Sequence, residues 1–131
     1  MPKESMVGSL IVEGPTGELP ANTRLYNAVG TSGDKVIFEG NKYDTSMVST
    51  WETISGSSIT QIGSKCVNSC CNSTNPYDLV GAHVVTNPGK QNIDHGDIFY
   101  LIPLCRGCNS SGAAKKIVLR CNVAVPILQW E

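Results

Sequence analysis

The sequence predicts an α+β domain built mostly of antiparallel strands, and three observations carry that reading. The first sixty residues break into short runs rich in β-branched and aromatic side chains, "SLIVEG", "TRLYNAV", "KVIFEG" and "STWETI", divided by "GPTGELP", "GTSGD" and "SGSS". No segment sustains the 3.6-residue periodicity of an amphipathic helix. Two further apolar runs, "LVGAHVV" at 79–85 and "IFYLIPL" at 98–104, read as buried strands on either side of a polar loop.

Taken in order, the four early runs form a small antiparallel assembly. Gly40 and Asn41 make the tight turn within "KVIFEGNKYD", because both residue types tolerate positive φ. The texture changes near Gln61, dividing the chain into a β-rich part (1–60) and a cysteine-bearing part (61–131) of one domain. Asn75-Pro76 marks a loop before the first apolar run. In that run Val80, Ala82 and Val84 point to one side, and Gly81, His83 and Val85 to the other. The loop "TNPGKQNIDHGD" between the two runs is long enough to suggest function or mobility. After the second run, Ser110 or Ser111 can cap a short helix reaching about Lys116. "KIVLRCNVAVPIL" then returns as one or two strands, with Cys121 read as a small buried residue in an apolar strand.

The chain has 131 residues, enough for one domain that folds without cross-links. Charged residues are 16% and the net charge is −1, so no global field attracts nucleic acid or anionic membrane. The distribution is less even. From Ile98 to Trp130 the chain carries Arg106, Lys115, Lys116 and Arg120 and no carboxylate. No signal-peptide pattern or membrane span is visible, so the expectation is a soluble protein, cytoplasmic or non-classically released. No GxGxxG or P-loop pattern supports a nucleotide cofactor, and no nucleophile elbow frames a serine. Trp51 and Trp130 read as core anchors.

The six cysteines fall into two groups, Cys66 with Cys70 or Cys71, and Cys105 with Cys108, leaving Cys121 apart. Two thiolates on one turn, completed by a second pair elsewhere, make a four-sulfur structural zinc site. The alternative pairs all six as disulfides of an extracellular toxin or binding protein. Spacing and chain size favour zinc, with Cys70 and Cys121 as a disulfide or as free thiols.

The succession Cys66-x4-Cys71, "GAHVV" at 81–85 and "IPLCRGCNSS" at 102–111 resembles the HNH endonuclease family, the ββα-metal nucleases, in its cysteine-bearing form. The resemblance covers about Cys66 to Lys116. It implies a C-terminal zinc-stabilised ββα unit with Cys66, Cys71, Cys105 and Cys108 as structural zinc ligands. It also implies His83 as the general base that activates water, Asn109 as the family's asparagine, and a catalytic divalent cation such as magnesium. The implied activity is hydrolysis of DNA phosphodiester bonds with little sequence preference.

Two family features are missing: Ala82 stands where an acidic metal ligand precedes the base, and no histidine follows Cys108. Asp94, His95 and Asp97 can supply substitute ligands, or else form a solvated loop tip. His83 can equally be a core histidine. Arg106, Lys115, Lys116 and Arg120 are candidate contacts to DNA phosphates, or a solvated helix end. The alternative function is a non-catalytic zinc-stabilised module that binds nucleic acid or protein.

Overall fold

The computed structural model describes residues 10–12, 16–28, 35–69, 71, 75–93, 96–109 and 116–129. Its strands are β1 (Leu10–Val12), β2 (Gly17–Leu19), β3 (Arg24–Asn27), β4 (Lys35–Phe38), β5 (Asn41–Asp44), β6 (Leu79–Val85), β7 (Ile98–Cys105), β8 (Lys116–Val118), β9 (Val123–Val125) and β10 (Ile127–Gln129). Among the described residues two α-helices join them, α1 (Val48–Ser55) and α2 (Arg106–Asn109). This is an α+β fold of mostly antiparallel strands. No helix among the described residues is long and apolar enough to cross a membrane.

Eight strands form one sheet in the order β5-β4-β1-β10-β7-β6-β3-β8, and β2 pairs with β9 in a second. The pairing of β1 with β4 is parallel, and every other pairing is antiparallel. Strands from before and after residue 60 are neighbours at three places in this order: β1 beside β10, and β3 between β6 and β8. Both parts of the chain therefore build one sheet, and residues 1–60 are half of its framework.

The β6–β7 hairpin is the centre of the sheet. Its register places Leu79 opposite Cys105, Gly81 opposite Pro103 and His83 opposite Leu101. Phe99, Leu101, Ile102 and Leu104 are fully buried, which accounts for the unbroken apolar run of β7. The turn before α1 crosses so close to β6 that a Cβ on Gly81 would lie 2.2 Å from the Thr45 carbonyl oxygen. Glycine is required there by space, since the Gly81 amide also donates to the Ser46 carbonyl at 2.9 Å.

Four sequence expectations need correction. "STWETI" forms most of helix α1, not a strand. Tertiary contacts override its β-prone composition: Thr50, Trp51 and Ile54 are buried on one face, and the Trp51 Nε1–H donates to the Ala124 carbonyl at 2.7 Å. Gly56 ends the helix with φ 73°. Part of the expected turn "GPTGELP" is strand β2, paired with β9. The β4–β5 hairpin turns one residue early, at Glu39 and Gly40, with φ 50° and 81°. Lys116 begins strand β8, so the expected helix end is a strand start, and the described helix after β7 is the four-residue α2. Ser110, Ser111, Cys70 and Trp130 lie outside the described residues.

Candidate metal centre

Four chain positions converge at one end of the hairpin. Cys105 closes β7 and Cys108 sits in α2, one turn later. Cys66 and Cys71 come from the segment that follows a 3-10 turn at Ile59–Ile62. This segment is held between the end of β7 and the chain after β8. The Val67 amide donates to the Pro103 carbonyl at 3.4 Å, Ser69 to Val118 at 2.7 Å, and the Arg120 amide to Val67 at 2.9 Å.

The sulfurs of Cys66, Cys71, Cys105 and Cys108 all lie within 4.8 Å of one another, and Cys71 and Cys105 are 3.4 Å apart. A tetrahedral ion with metal–sulfur bonds of about 2.3 Å sets its sulfurs about 3.8 Å apart, so the cluster has the right size to hold one. Cys66 and Cys105 are buried, whereas Cys71 and Cys108 are half-buried. Among the described residues this is the one group of three or more His, Cys, Asp or Glu side chains placed to hold a metal.

Hydrogen-bond donors surround the sulfurs. The Cys108 amide donates to Cys105 Sγ at 3.4 Å, and Asn68 Nδ2 donates to Cys108 Sγ at 3.5 Å. Backbone amides of Cys105 and Asn68 point at the Cys66 sulfur. Donors of this kind stabilise thiolate charge. Burial acts against them and dominates, holding the Cys66 thiol well above its usual range and pushing Cys108 up to about 11. A cation supplies what burial withholds, because thiolates ionise readily when a metal shares their charge.

Two side chains that sequence reasoning missed organise the first cysteine segment. Asn68 also accepts from the Val118 amide at 3.3 Å, tying the segment to β8. Arg120, expected as a phosphate contact, turns inward. Its Nε donates to the Cys66 carbonyl at 3.0 Å, and Nη2 donates to the carbonyls of Lys65, at 3.1 Å, and Ile62. Its Nη1 also approaches Cys121 Sγ at 3.8 Å. Cys121 is half-buried in a bend, not buried in a strand as expected. No local pattern announces either role, since Arg120 acts on residues more than fifty positions earlier.

The other expected site residues lie apart from this cluster. His83 is four residues along β6 from Leu79, the partner of Cys105, which corresponds to roughly 13 Å of strand. Its ring packs at 5.0 Å against Phe99, and its Nε2 is shielded from solvent. Burial pushes its pKa down to about 4, with Asp44 pulling weakly the other way. Asp97 is 3.4 Å from Lys90 in an ion pair, beside a cleft of about 250 Å³ that Val85, Asn87, Ile98 and Tyr100 help to line. Arg106 is exposed and lies 3.8 Å from Asp78, and Asn109 and Lys116 are exposed. Asp94, His95 and Lys115 lie outside the described residues.

Fold and site together define a β-dominated α+β domain with a tetracysteine centre that can hold a metal ion. No family model, curated protein or solved structure matches this chain.

Proposed function

We infer that this protein is a zinc-stabilised, non-catalytic HNH-like module that binds nucleic acid. The observation that carries the reading is the convergence of the four cysteine sulfurs within 4.8 Å. Zinc suits an all-thiolate tetrahedral site, and a closed set of four protein ligands leaves no open position for substrate. In such a site the ion cross-links; when bound, it would tie Cys66 and Cys71 to the end of the hairpin through Cys105 and Cys108.

The state of His83 supports a non-catalytic module over a nuclease. A general base must reach water and accept a proton near neutral pH. The His83 Nε2 is shielded from solvent, and the ring resists protonation down to about pH 4. The acidic neighbour expected in the family pattern is replaced by Ala82, which is buried.

Nucleic-acid contact is supported by the exposed basic residues near one sheet edge. Arg24 on β3 and Lys116 on β8 are exposed, and the register of the β3–β8 pair puts them on the same face as Tyr26. Arg106 is exposed at the tetracysteine end. Cations and a ring on one face suit phosphates and unstacked bases.

The test is metal analysis followed by binding and cleavage assays on one preparation. The expected result is about one zinc per chain, together with DNA binding that weakens as salt rises and is reduced by Arg24→Glu combined with Lys116→Glu, without nicking of plasmid. Magnesium- or manganese-dependent nicking lost in His83→Ala would overturn the non-catalytic reading in favour of a nuclease. Absence of zinc from freshly reduced protein would overturn the metal.

A further inference from the structure

We propose that the tetracysteine centre is a convertible cross-link, in which peroxide oxidation replaces the ion with two disulfides, Cys71–Cys105 and Cys66–Cys108. The starting state rests on the zinc reading above; the pairing rests on geometry. With all four sulfurs within 4.8 Å of one another, proximity alone permits every pairing. Exposure and the shortest approach select among them. Cys71 and Cys108 are half-buried and meet an oxidant first, while Cys66 and Cys105 are buried and serve as the resolving partners. Cys71 has Cys105 at 3.4 Å, which leaves Cys108 with Cys66.

This pairing preserves what the ion does. Each disulfide joins the 66–71 segment to the end of the hairpin, the same two pieces of chain that a metal would join. Of the two competing pairings, Cys66–Cys71 with Cys105–Cys108 would leave those pieces unlinked, and Cys71–Cys108 with Cys66–Cys105 would leave two buried sulfurs to be oxidised without an exposed partner. While the first disulfide forms, other bonds also help to hold the segments in register. The Val67 amide donates to Pro103, Ser69 donates to Val118, and Arg120 binds the carbonyls of Ile62, Lys65 and Cys66. Closing the 3.4 Å gap to a sulfur–sulfur bond of about 2.05 Å then requires only a short side-chain movement.

The chemistry balances with a peroxide as the oxidant. The Cys71 thiolate attacks one peroxide oxygen, the O–O bond breaks, hydroxide departs, and the sulfur becomes a sulfenic acid. The Cys105 thiolate attacks that sulfur, the S–O bond breaks, and a second hydroxide leaves with the S–S bond formed. Two electrons pass from the sulfur pair to the peroxide, and two protons from solvent complete two waters. Cys108 and Cys66 repeat the sequence with a second peroxide, and the metal departs as the divalent ion.

The experiment treats zinc-loaded, reduced full-length protein with increasing hydrogen peroxide. Released zinc is followed with a chromogenic chelator, and non-reducing tryptic peptides are mapped by tandem mass spectrometry. Cleavage after Arg106 separates Cys105 from Cys108, and backbone fragmentation between Val67 and Cys71 within the 66–90 peptide tells which of its cysteines each one binds. The expected result is one zinc released and four thiols lost per chain, with Cys71–Cys105 and Cys66–Cys108 linked. Circular dichroism should be retained, and dithiothreitol with zinc should restore the starting state. In Cys71→Ser the Cys66–Cys108 bond should still form, and Cys105 should remain a thiol. A Cys105–Cys108, Cys66–Cys105 or Cys71–Cys108 linkage, a bond to Cys70 or Cys121, sulfinic acid in place of disulfide, or loss of folded signal on oxidation would overturn the proposal. If the reduced protein holds no zinc, the zinc reading fails, and the same mapping on the metal-free chain still decides the pairing.

Discussion

The side chain of Arg120 donates to the carbonyl of Cys66 at 3.0 Å, placing a cation from the chain after β8 behind the first cysteine of the four-sulfur cluster. The same guanidinium also binds the carbonyls of Lys65 and Ile62. Charge-assisted bonds of this kind contribute about 1.5 kcal/mol or more each, and losing the donor leaves partly buried acceptors unsatisfied. Arg120→Met is therefore expected to destabilise the protein by about 3 kcal/mol in urea unfolding. It should also weaken zinc binding tenfold or more in chelator competition, as loss of supporting contacts around metal ligands typically does. Arg120→Lys should recover only part of either loss, because an ammonium cannot fork to three carbonyls.

The close approach of Thr45 to Gly81 sets a second expectation. An alanine Cβ at 2.2 Å from a backbone oxygen cannot be accommodated by rotating a side chain, so the turn before α1 must move. Gly81→Ala should cost at least about 2 kcal/mol of stability, read as a lower urea midpoint with an unchanged slope. Gly40→Ala is a suitable control: nothing lies within 4 Å of its added Cβ, and its penalty is the backbone strain of φ 81° alone. That strain amounts to about 1 kcal/mol.

How much of this was legible in the sequence depended on whether the responsible forces were local. Strands β6 and β7 were read to within one residue, because a continuous apolar run flanked by turn-formers is a local signal. The two cysteine groups were legible from their spacing, which left Cys70 and Cys71 as alternatives; the family resemblance favoured Cys71, the one found in the cluster. Helix α1 was not, because its eight β-prone residues are held helical by contacts with distant chain, such as Trp51 to Ala124. The strand character of "KIVL" was legible, but its pairing with β3, some ninety residues earlier, has no local signal. Arg120 looked like a surface cation because a local window does not show the carbonyls of the first cysteine segment.

Burial of His83 makes stability depend on pH in a defined window. Its pKa is pushed down from 6.5 to about 4 in the folded protein, while the unfolded chain titrates near 6.5. Between those values the unfolded state binds the extra proton. The contribution is thus fully present above about pH 6.5, declines as pH falls, and is lost by about pH 4. The total change is up to about 3 kcal/mol. Urea unfolding from pH 7 to pH 4.5 should show a steeper decline in wild type than in His83→Gln. Identical slopes would mean that His83 is not buried in its neutral form.

The described cysteines divide into the four of the cluster and one beside it, and substitution should separate them. Cys105→Ser removes a buried sulfur at the junction of hairpin and first cysteine segment, so on the zinc reading proposed above one zinc per chain should be lost from the purified protein. Binding of structural zinc contributes on the order of 10 kcal/mol, comparable to the whole stability of a domain this size. The melting transition of Cys105→Ser should therefore broaden or disappear, and added zinc should not restore it. Cys121→Ser should retain full zinc content and melt within a few degrees of wild type. Cys121 is half-buried and lies outside the four-sulfur group, and its described polar neighbour is the Arg120 guanidinium at 3.8 Å. Loss of zinc from Cys121→Ser, measured on the same scale, would place that sulfur in the metal centre and displace one of the four assigned to it.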